Sequence, residues 1–479
     1  MMKNGTPRSK PLYKTIAEQI ESRITNGEFP PGSMLPSERV LARELQVNRS
    51  TIVSAYEELR ANGIIESKQG SGTMVSDDIW SQARKRVPNW RHLVETGSFL
   101  PNLPLIRTIR KETQESGLID WASGELSSDL FPYQSLQQIL SQQEFNCHLG
   151  YEHSQGNLNL RNTIAAQMNS LHHIKTTSSS ILITSGAQQA LHLIVQCLLQ
   201  PGDAVAIEDP SYCYSLPLFQ SAGLRTFLLP VDEKGMNPED LVALHQKHRI
   251  KMVFVSPNYQ NPTGTLLSTS RKKRLLEISS EYGIPIVEDD PYSLTSFSGE
   301  HIPTLKSLDT TGNVLYVSSL SKIVASGLRI GWVIGPQSVI ERLSDAKQQF
   351  DFGHSIFPEW IASQFLGSDE FLHHLNRLRE QLQIKLDRIV FELNDVLKDV
   401  VEFVVPYGGI HIWCRLKQPV SEAKLLRESI QRGFVFVPGS ILGSKEGFVR
   451  FTFGHADMDT IHEGLVRFAE AYRFIREQE

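Results

Sequence analysis

The feature that most constrains this chain is an alternation that begins after residue 116. Apolar strand-like runs, Ile181–Thr184, Ala204–Glu208, Met252–Ser256, Ile286–Glu288, Val314–Val317 and Ile330–Ile334, are separated by helical patterns such as Gln188–Leu199 and Arg271–Tyr282. Strands that alternate with helices build a mostly parallel α/β sheet with helices packed on it. In such sheets a ligand sits beyond the carboxyl ends of the strands, and here polar signatures follow the runs. They are Ser185-Gly-Ala-Gln-Gln-Ala190, Asp209-Pro-Ser-Tyr212, Ser256-Pro-Asn-Tyr-Gln-Asn-Pro-Thr-Gly264 and Asp289-Asp-Pro-Tyr292. The fifth is a Ser- and Gly-rich turn carrying Lys322, with Ser319, Ser321 and Arg329 beside it.

Each signature alone is ordinary. A strand-end Asp usually caps a helix, Asn-Pro-Thr-Gly is a good turn, Tyr212 alone reads as packing, and an arbitrary lysine is a solvated charge. Together they supply what pyridoxal phosphate requires. A lysine amine forms a Schiff base, and a carboxylate keeps the pyridine nitrogen protonated. Donors hold the ring O3′, an aromatic side chain stacks on the ring, and a Gly-containing helix start binds phosphate.

The first stretch, residues 10–78, reads differently. Leu12, Ile16, Ile20 and Ile24 recur at helical spacing, ending at Asn26-Gly27. Ser37 reads as the N-cap of a second helix with Val40, Leu41 and Leu45 inward. Asn48 reads as the cap of a third, Arg49–Asn62, with Ile52, Tyr56 and Leu59 on one face. Ile64–Ser67 and Thr73–Val75 read as short strands around a glycine-rich tip. Helix, helix, turn, helix, hairpin is a winged helix-turn-helix, with the motif at about 37–56. Its last helix would enter the major groove of double-stranded DNA, presenting Asn48, Arg49, Ser50 and Thr51 to base edges and phosphates. Lys68 and Gly70 in the wing, with Ser37 and Arg39, complete the DNA-contacting set.

Residues 79–115 form a basic, Trp- and Pro-punctuated connector that includes Arg84, Lys85, Arg86, Arg107, Arg110 and Lys111. The whole chain has a net charge of -5, so any nucleic-acid contact must be local. The four cysteines, Cys147, Cys197, Cys213 and Cys414, show no CxxC or Cys/His spacing. They are expected to be reduced thiols of a cytoplasmic protein, with Cys213 a small buried one. His172-His173 and His373-His374 lack a third ligand and read as surface histidines, so no metal is expected. The N-terminal residues lack the apolar core of a signal peptide. The apolar run near Ala190–Leu199 is interrupted and too short to span a membrane.

Two resemblances sharpen this reading. Leu35-Pro-Ser-Glu-Arg-Val-Leu-Ala-Arg-Glu-Leu-Gln-Val-Asn-Arg-Ser-Thr-Ile-Val-Ser-Ala-Tyr-Glu-Glu-Leu-Arg-Ala-Asn-Gly63, followed by Gly70-Ser-Gly-Thr, resembles the GntR-type DNA-binding domain. Residues 116–479 resemble fold-type I pyridoxal-phosphate aminotransferases, and the fusion resembles the MocR subfamily of bacterial regulators. The resemblance implies a multidomain protein. An N-terminal winged helix-turn-helix would precede an α/β transferase domain with a large, mostly parallel sheet and a smaller C-terminal α+β subdomain.

By motif, the resemblance assigns Lys322 to the internal aldimine, Asp289 to the pyridine nitrogen, and Tyr292 and Asn261 to O3′. It assigns the Ala187 and Gln188 backbone with Ser319, Ser321 and Arg329 to the phosphate, and Tyr212 to ring stacking. Tyr151, in Leu149-Gly-Tyr-Glu-His-Ser-Gln-Gly156, would reach the phosphate of a neighbouring subunit, which makes a homodimer the expected assembly. Arg450 would clamp a substrate carboxylate near Gly124. The function so implied is a DNA-binding transcriptional regulator that senses an amine, an amino acid or pyridoxal phosphate through aldimine exchange at Lys322. The alternative is an aminotransferase with turnover that carries an accessory DNA-binding domain.

Overall fold

The structure, a computed structural model, describes residues 11–68, 72–77, 96–114, 117–142, 144–145 and 149–479. Tertiary contacts divide the chain between Ser98 and Phe99 into two compact units.

The first unit is built from three helices, α1 (Leu12–Thr25), α2 (Glu38–Glu44) and α3 (Arg49–Ala61), and a hairpin of β1 (Ile65–Lys68) and β2 (Gly72–Val75). Ile16, Ile20 and Ile24 of α1 meet Ile52, Ala55, Tyr56 and Leu59 of α3 in one apolar core. A large apolar side chain fully removed from water contributes about 1.5–3 kcal/mol, and Ile52, Tyr56 and Leu59 are each at 0% exposure. The Tyr56 hydroxyl donates to the Pro36 carbonyl at 2.6 Å, fastening the lead-in of α2 to α3.

One expectation fails here. Val40 and Leu45 are exposed, and the buried stripe is Leu41 and Ala42. The seven-residue α2 ends at Glu44, so Leu45 lies at the C-cap, where the chain already turns away from the core. Ser37 and Asn48 occupy N-cap positions with extended backbones, but neither side chain makes a capping hydrogen bond. The wing has a further edge not visible in the sequence. Leu35 N donates to Thr73 O (2.8 Å) and Val75 N to Ser33 O (2.8 Å), so the lead-in of α2 pairs with β2.

The second unit holds an eight-stranded sheet of β4 (Ile181–Thr184), β5 (Ala204–Asp209), β6 (Arg225–Asp232), β7 (Gly235–Met236), β8 (Ile250–Val255), β9 (Ile286–Asp289), β10 (Val314–Ser319) and β11 (Gly331–Ile334). Its order is β4-β11-β10-β9-β8-β5-β6-β7. Neighbours from β10 through β6 are parallel, while β11 runs antiparallel between β4 and β10. Side chains alternate between the two faces, as a period of two requires. Val205 and Ile207 of β5 and Met252 and Phe254 of β8 enter one core, and Ala204, Ala206, Val253 and Val255 enter the other. Helix Gly186–Leu198 covers the first face and helix Thr269–Tyr282 the second.

The last two strands of the sheet, β6 and β7, do not stand out in the sequence, because Pro230 and exposed residues interrupt the apolar pattern of β6.

A smaller antiparallel sheet, in the order β12-β13-β16-β15, follows: β12 (Val401–Phe403), β13 (Ile412–Leu416), β15 (Val437–Pro438) and β16 (Phe448–Phe451). The segment β3 (Ile119–Asp120) pairs parallel with β14 (Phe434–Val435), so the start of this unit is stitched to its end. Residues 99–114, expected as connector, belong to this unit, and Pro104–Glu112 is a helix. Arg84, Lys85 and Arg86 lie outside the described residues.

His172 and His374 are buried, contrary to the surface expectation. The His374 ring nitrogen Nε2 lies 2.7 Å from the Ile323 carbonyl, and the His172 ring packs on Tyr316. His173 and His373 are exposed.

Candidate functional site

The carboxyl ends of the parallel strands open onto a cavity of about 480 Å³. The antiparallel β11 decides its composition. Because β11 runs opposite to β10, the connection between them, residues 320–330, stays at the ligand edge, and it carries Ser321, Lys322 and Arg329. The same edge presents the start of helix Gly186–Leu198. Gly331 lets β11 approach it so closely that an added Cβ would meet Gly186 C at 2.6 Å and Ala187 N at 2.9 Å. Arg329 takes a left-handed backbone (φ 54°), and its guanidinium donates to the Ser185 carbonyl at 3.0 Å.

Burial lowers the Lys322 amine to about 8, with Glu125 opposing the shift. Its Nζ donates to the Gly124 carbonyl. Asp289 ends β9 with Oδ1 enclosed and without a hydrogen-bond partner. Burial, reinforced by Asp290, raises this carboxyl to about 7, and Lys322 acts against the shift.

Arg450 projects from the middle of β16, between Trp413 and Val437, and is 5% exposed. It donates to Asn261 Oδ1 (3.2 Å) and to the Ala122 carbonyl (2.6 Å), and its Nε has no partner. Burial lowers it to about 10, so it remains cationic at neutral pH. The Tyr292 hydroxyl lies 3.0 Å from His411 Nε2. Burial raises the Tyr292 phenol well above its ordinary value, so it stays protonated.

The cavity thus brings together Ala187, Gln188, Tyr212, Asn261, Asp289, Tyr292, Ser319, Ser321, Lys322, Arg329, Arg450 and Gly124. Tyr151 is not among them. It is 89% exposed and lines a separate depression with Phe352, its ring 5.9 Å from that phenylalanine. A Cβ at Gly124 would meet only ordinary contacts (His411 Cε1 3.7 Å, Arg450 NH2 3.8 Å), so no protein atom demands glycine there.

Sequence reasoning missed Glu125, Glu208, His411 and Arg110 as neighbours of this site. Glu208 is the residue of β5 just before the Asp209-Pro-Ser-Tyr212 signature. Burial raises it to about 8 while it accepts from Ser256 N at 2.9 Å. His411 follows Gly408-Gly409, where a Cβ at Gly408 would strike the Tyr259 ring at 2.5 Å. That glycine pair is the one local signal of a close approach. Cys213 lines the cavity half-buried, and burial raises its thiol well above the ordinary range.

In the first unit, Ser37, Arg39, Asn48, Arg49 and Ser50 are exposed around the start of α3, and Thr51 is half-buried. Arg49 pairs with Glu38 at 3.1 Å, which holds the guanidinium along the motif. Lys68 is exposed at the end of β1, and Gly70 lies outside the described residues.

Residues 12–75 match the family of bacterial regulatory proteins of the gntR type, and residues 116–468 match aminotransferase class I and II. An uncharacterized HTH-type transcriptional regulator of Bacillus subtilis, YdfD, is 36% identical over 95% of both chains. The chain belongs to the GntR-type regulators of MocR architecture. Its second unit shares the fold of aminotransferases. The Pyrococcus horikoshii kynurenine aminotransferase is 31% identical over 79% of this chain and 95% of its own, with a TM-score of 0.73. The multiple substrate aminotransferase of Thermococcus profundus is 29% identical over 82% of this chain and all of its own, with a TM-score of 0.75. The protein is a DNA-binding transcriptional regulator with an aminotransferase-like domain, a fold that implies pyridoxal phosphate. Among the described residues no helix is long and apolar enough to cross a membrane.

Proposed function

We propose that this regulator holds pyridoxal 5′-phosphate in the cavity through Lys322 and reports an amine or amino acid that displaces the Lys322 amine from the cofactor aldehyde. When bound, the cofactor supplies an electrophilic aldehyde carbon. The observation that carries the reading is the pairing of a buried lysine amine lowered to about 8 with a buried Asp289 oxygen that has no protein partner.

Each residue then has a task. Asp289 accepts from a protonated ring nitrogen. The Ala187 and Gln188 amides, Ser319, Ser321 and Arg329 hold the phosphate at the helix start. Tyr212 stacks on the ring, and Tyr292 and Asn261 donate to O3′. Arg450, already cationic and with a free Nε, clamps an effector carboxylate beside Gly124. Asn48, Arg49, Ser50 and Thr51 contact double-stranded DNA, with Lys68, Gly70, Ser37 and Arg39 on phosphates. Such a protein works where the DNA is, in the cytoplasm.

Exposed aromatic side chains support a homodimer. Tyr151 (89%) and Phe352 (61%) meet on one surface, which a second copy would cover, and Tyr151 would then serve the partner's phosphate site.

The test compares wild type with Lys322→Ala. Wild type should take up one pyridoxal phosphate per chain with a visible absorbance band, and amino acids should shift that band and change affinity for promoter DNA. Lys322→Ala should bind DNA but lose both the band and the response. Fast multiple-turnover transamination without a specific DNA site would refute the regulator reading.

A further inference from the structure

Helix Pro104–Glu112 turns one stripe toward the cavity. Ile106, Ile109, Arg110 and Thr113 all line it, at the i, i+3, i+4, i+7 spacing of a single helical face. Ile109 is buried and Ile106 packs against the main core, which fixes the backbone. Arg110 is exposed. The adjacent Lys111 leans on Glu112 at 3.8 Å, whereas among the described residues no carboxylate lies within ion-pair distance of Arg110.

The charges that line the cavity can be accounted for one by one. Its cations are Arg110, Lys322, Arg329 and Arg450, and its anions Glu125, Glu208 and Asp289. Glu208 is raised to about 8 and bonded to Ser256 N, and Glu125 accepts from the Ser326 hydroxyl and faces Lys322 rather than either remaining arginine. With pyridoxal phosphate bound as described above, Lys322 is used by the aldehyde, Arg329 by the phosphate and Asp289 by the ring nitrogen. Two guanidinium groups remain with no carboxylate within ion-pair distance among the described residues, Arg450 deep in the cavity and Arg110 at its wall. A carboxylate placed against Arg110 would pair its charge bidentately, which an apolar or amide side chain cannot do.

We propose that Arg110 is the specificity-determining residue of this cavity and that the effector is a dicarboxylic amino acid, its α-carboxylate on Arg450 and its side-chain carboxylate on Arg110. The inference rests on the reading of the cavity as a pyridoxal-phosphate and amino-acid site. Guanidinium–carboxylate pairs are bidentate and directional, so the distance between the two arginines also selects side-chain length.

The experiment titrates the cofactor-loaded full-length protein with aspartate, glutamate and 2-aminoadipate and with asparagine, glutamine and norleucine. Binding is followed by calorimetry and by the absorbance of bound cofactor. At least one acidic amino acid should half-saturate at a concentration tenfold or more below that of its neutral counterpart. Arg110→Gln should reduce this preference to within twofold. Arg110→Glu should invert it, favouring lysine or ornithine over glutamate, a reversal that no purely structural role of Arg110 produces. Equal affinity for acidic and neutral members in the wild type, or an unchanged preference in Arg110→Gln, overturns the proposal while the cofactor reading stands. Absence of a cofactor band in the wild type, or its survival in Lys322→Ala, overturns both.

Discussion

Gly331→Ala tests the geometry of the phosphate end of the cavity. Gly331 is paired with Ser319 on one side and Thr184 on the other, so its strand is held in two ladders and cannot slide. An added Cβ would lie 2.6 Å from Gly186 C, 2.8 Å from Gly186 Cα and 2.9 Å from Ala187 N. All three are backbone atoms, so no side chain can rotate away. Relief to an ordinary contact of 3.4 Å requires a shift of about 0.5–0.8 Å at the first turn of helix Gly186–Leu198. Overpacking of this kind costs about 1–3 kcal/mol. The displaced turn carries the amides proposed to cup the phosphate, so cofactor affinity should fall by roughly tenfold or more, since 1.4 kcal/mol is a factor of ten. Equilibrium urea unfolding of the full chain reads the first effect, and a cofactor titration followed by absorbance reads the second. Gly327→Ala is the matched control, because nothing lies within 4 Å of a Cβ there. If Gly331→Ala matches Gly327→Ala in stability and cofactor affinity within twofold, the close-approach argument is wrong.

Two further outcomes follow from the site and the motif. Lys322, lowered to about 8 by burial, is about half neutral at pH 8, on the order of 100-fold more than an ordinary lysine. The rate of pyridoxal phosphate capture by stopped-flow absorbance should therefore rise with pH through about 8 and level off; a rate still climbing tenfold per unit at pH 9–10 would contradict it. Tyr56→Phe removes the 2.6 Å hydrogen bond to Pro36 and should destabilise the first unit by about 1 kcal/mol. It should also weaken DNA binding by loosening the start of α2, whereas unchanged stability and unchanged affinity in a gel-shift titration would show that this tether is dispensable.

Much of the site was legible because it lies on short signatures at strand ends. A strand that ends in Asp289-Asp-Pro-Tyr292 delivers its polar residues to the ligand edge, and the sequence order shows this directly. Edge and long-range features were not legible. Strand β6 carries Pro230 and exposed residues, so its apolar pattern is blurred. The pairing of β3 with β14 joins residues far apart in sequence, and nothing local signals it. His172 and His374 look polar in sequence, but the His172 ring packs on Tyr316 and the His374 ring lies between Phe365 and the Ile323 carbonyl. Arg110 sits in a stretch that reads only as a basic connector. Only its helical phase, shared with Ile106 and Ile109, turns it to the cavity.

The loop after β3 has a consequence for how the cavity fills. Arg450 donates to the Ala122 carbonyl and Lys322 to the Gly124 carbonyl. The two cations with which an amino acid and a cofactor must engage are thus already occupied by one short stretch of the protein's own backbone. Any ligand that recruits both is in competition with that stretch, and its measured affinity is a difference between two sets of bonds. Changes that loosen residues 122–124 would then tighten ligand binding without touching the ligand. The same changes would leave the empty protein closer to its filled form, so sensitivity and leakiness would rise together.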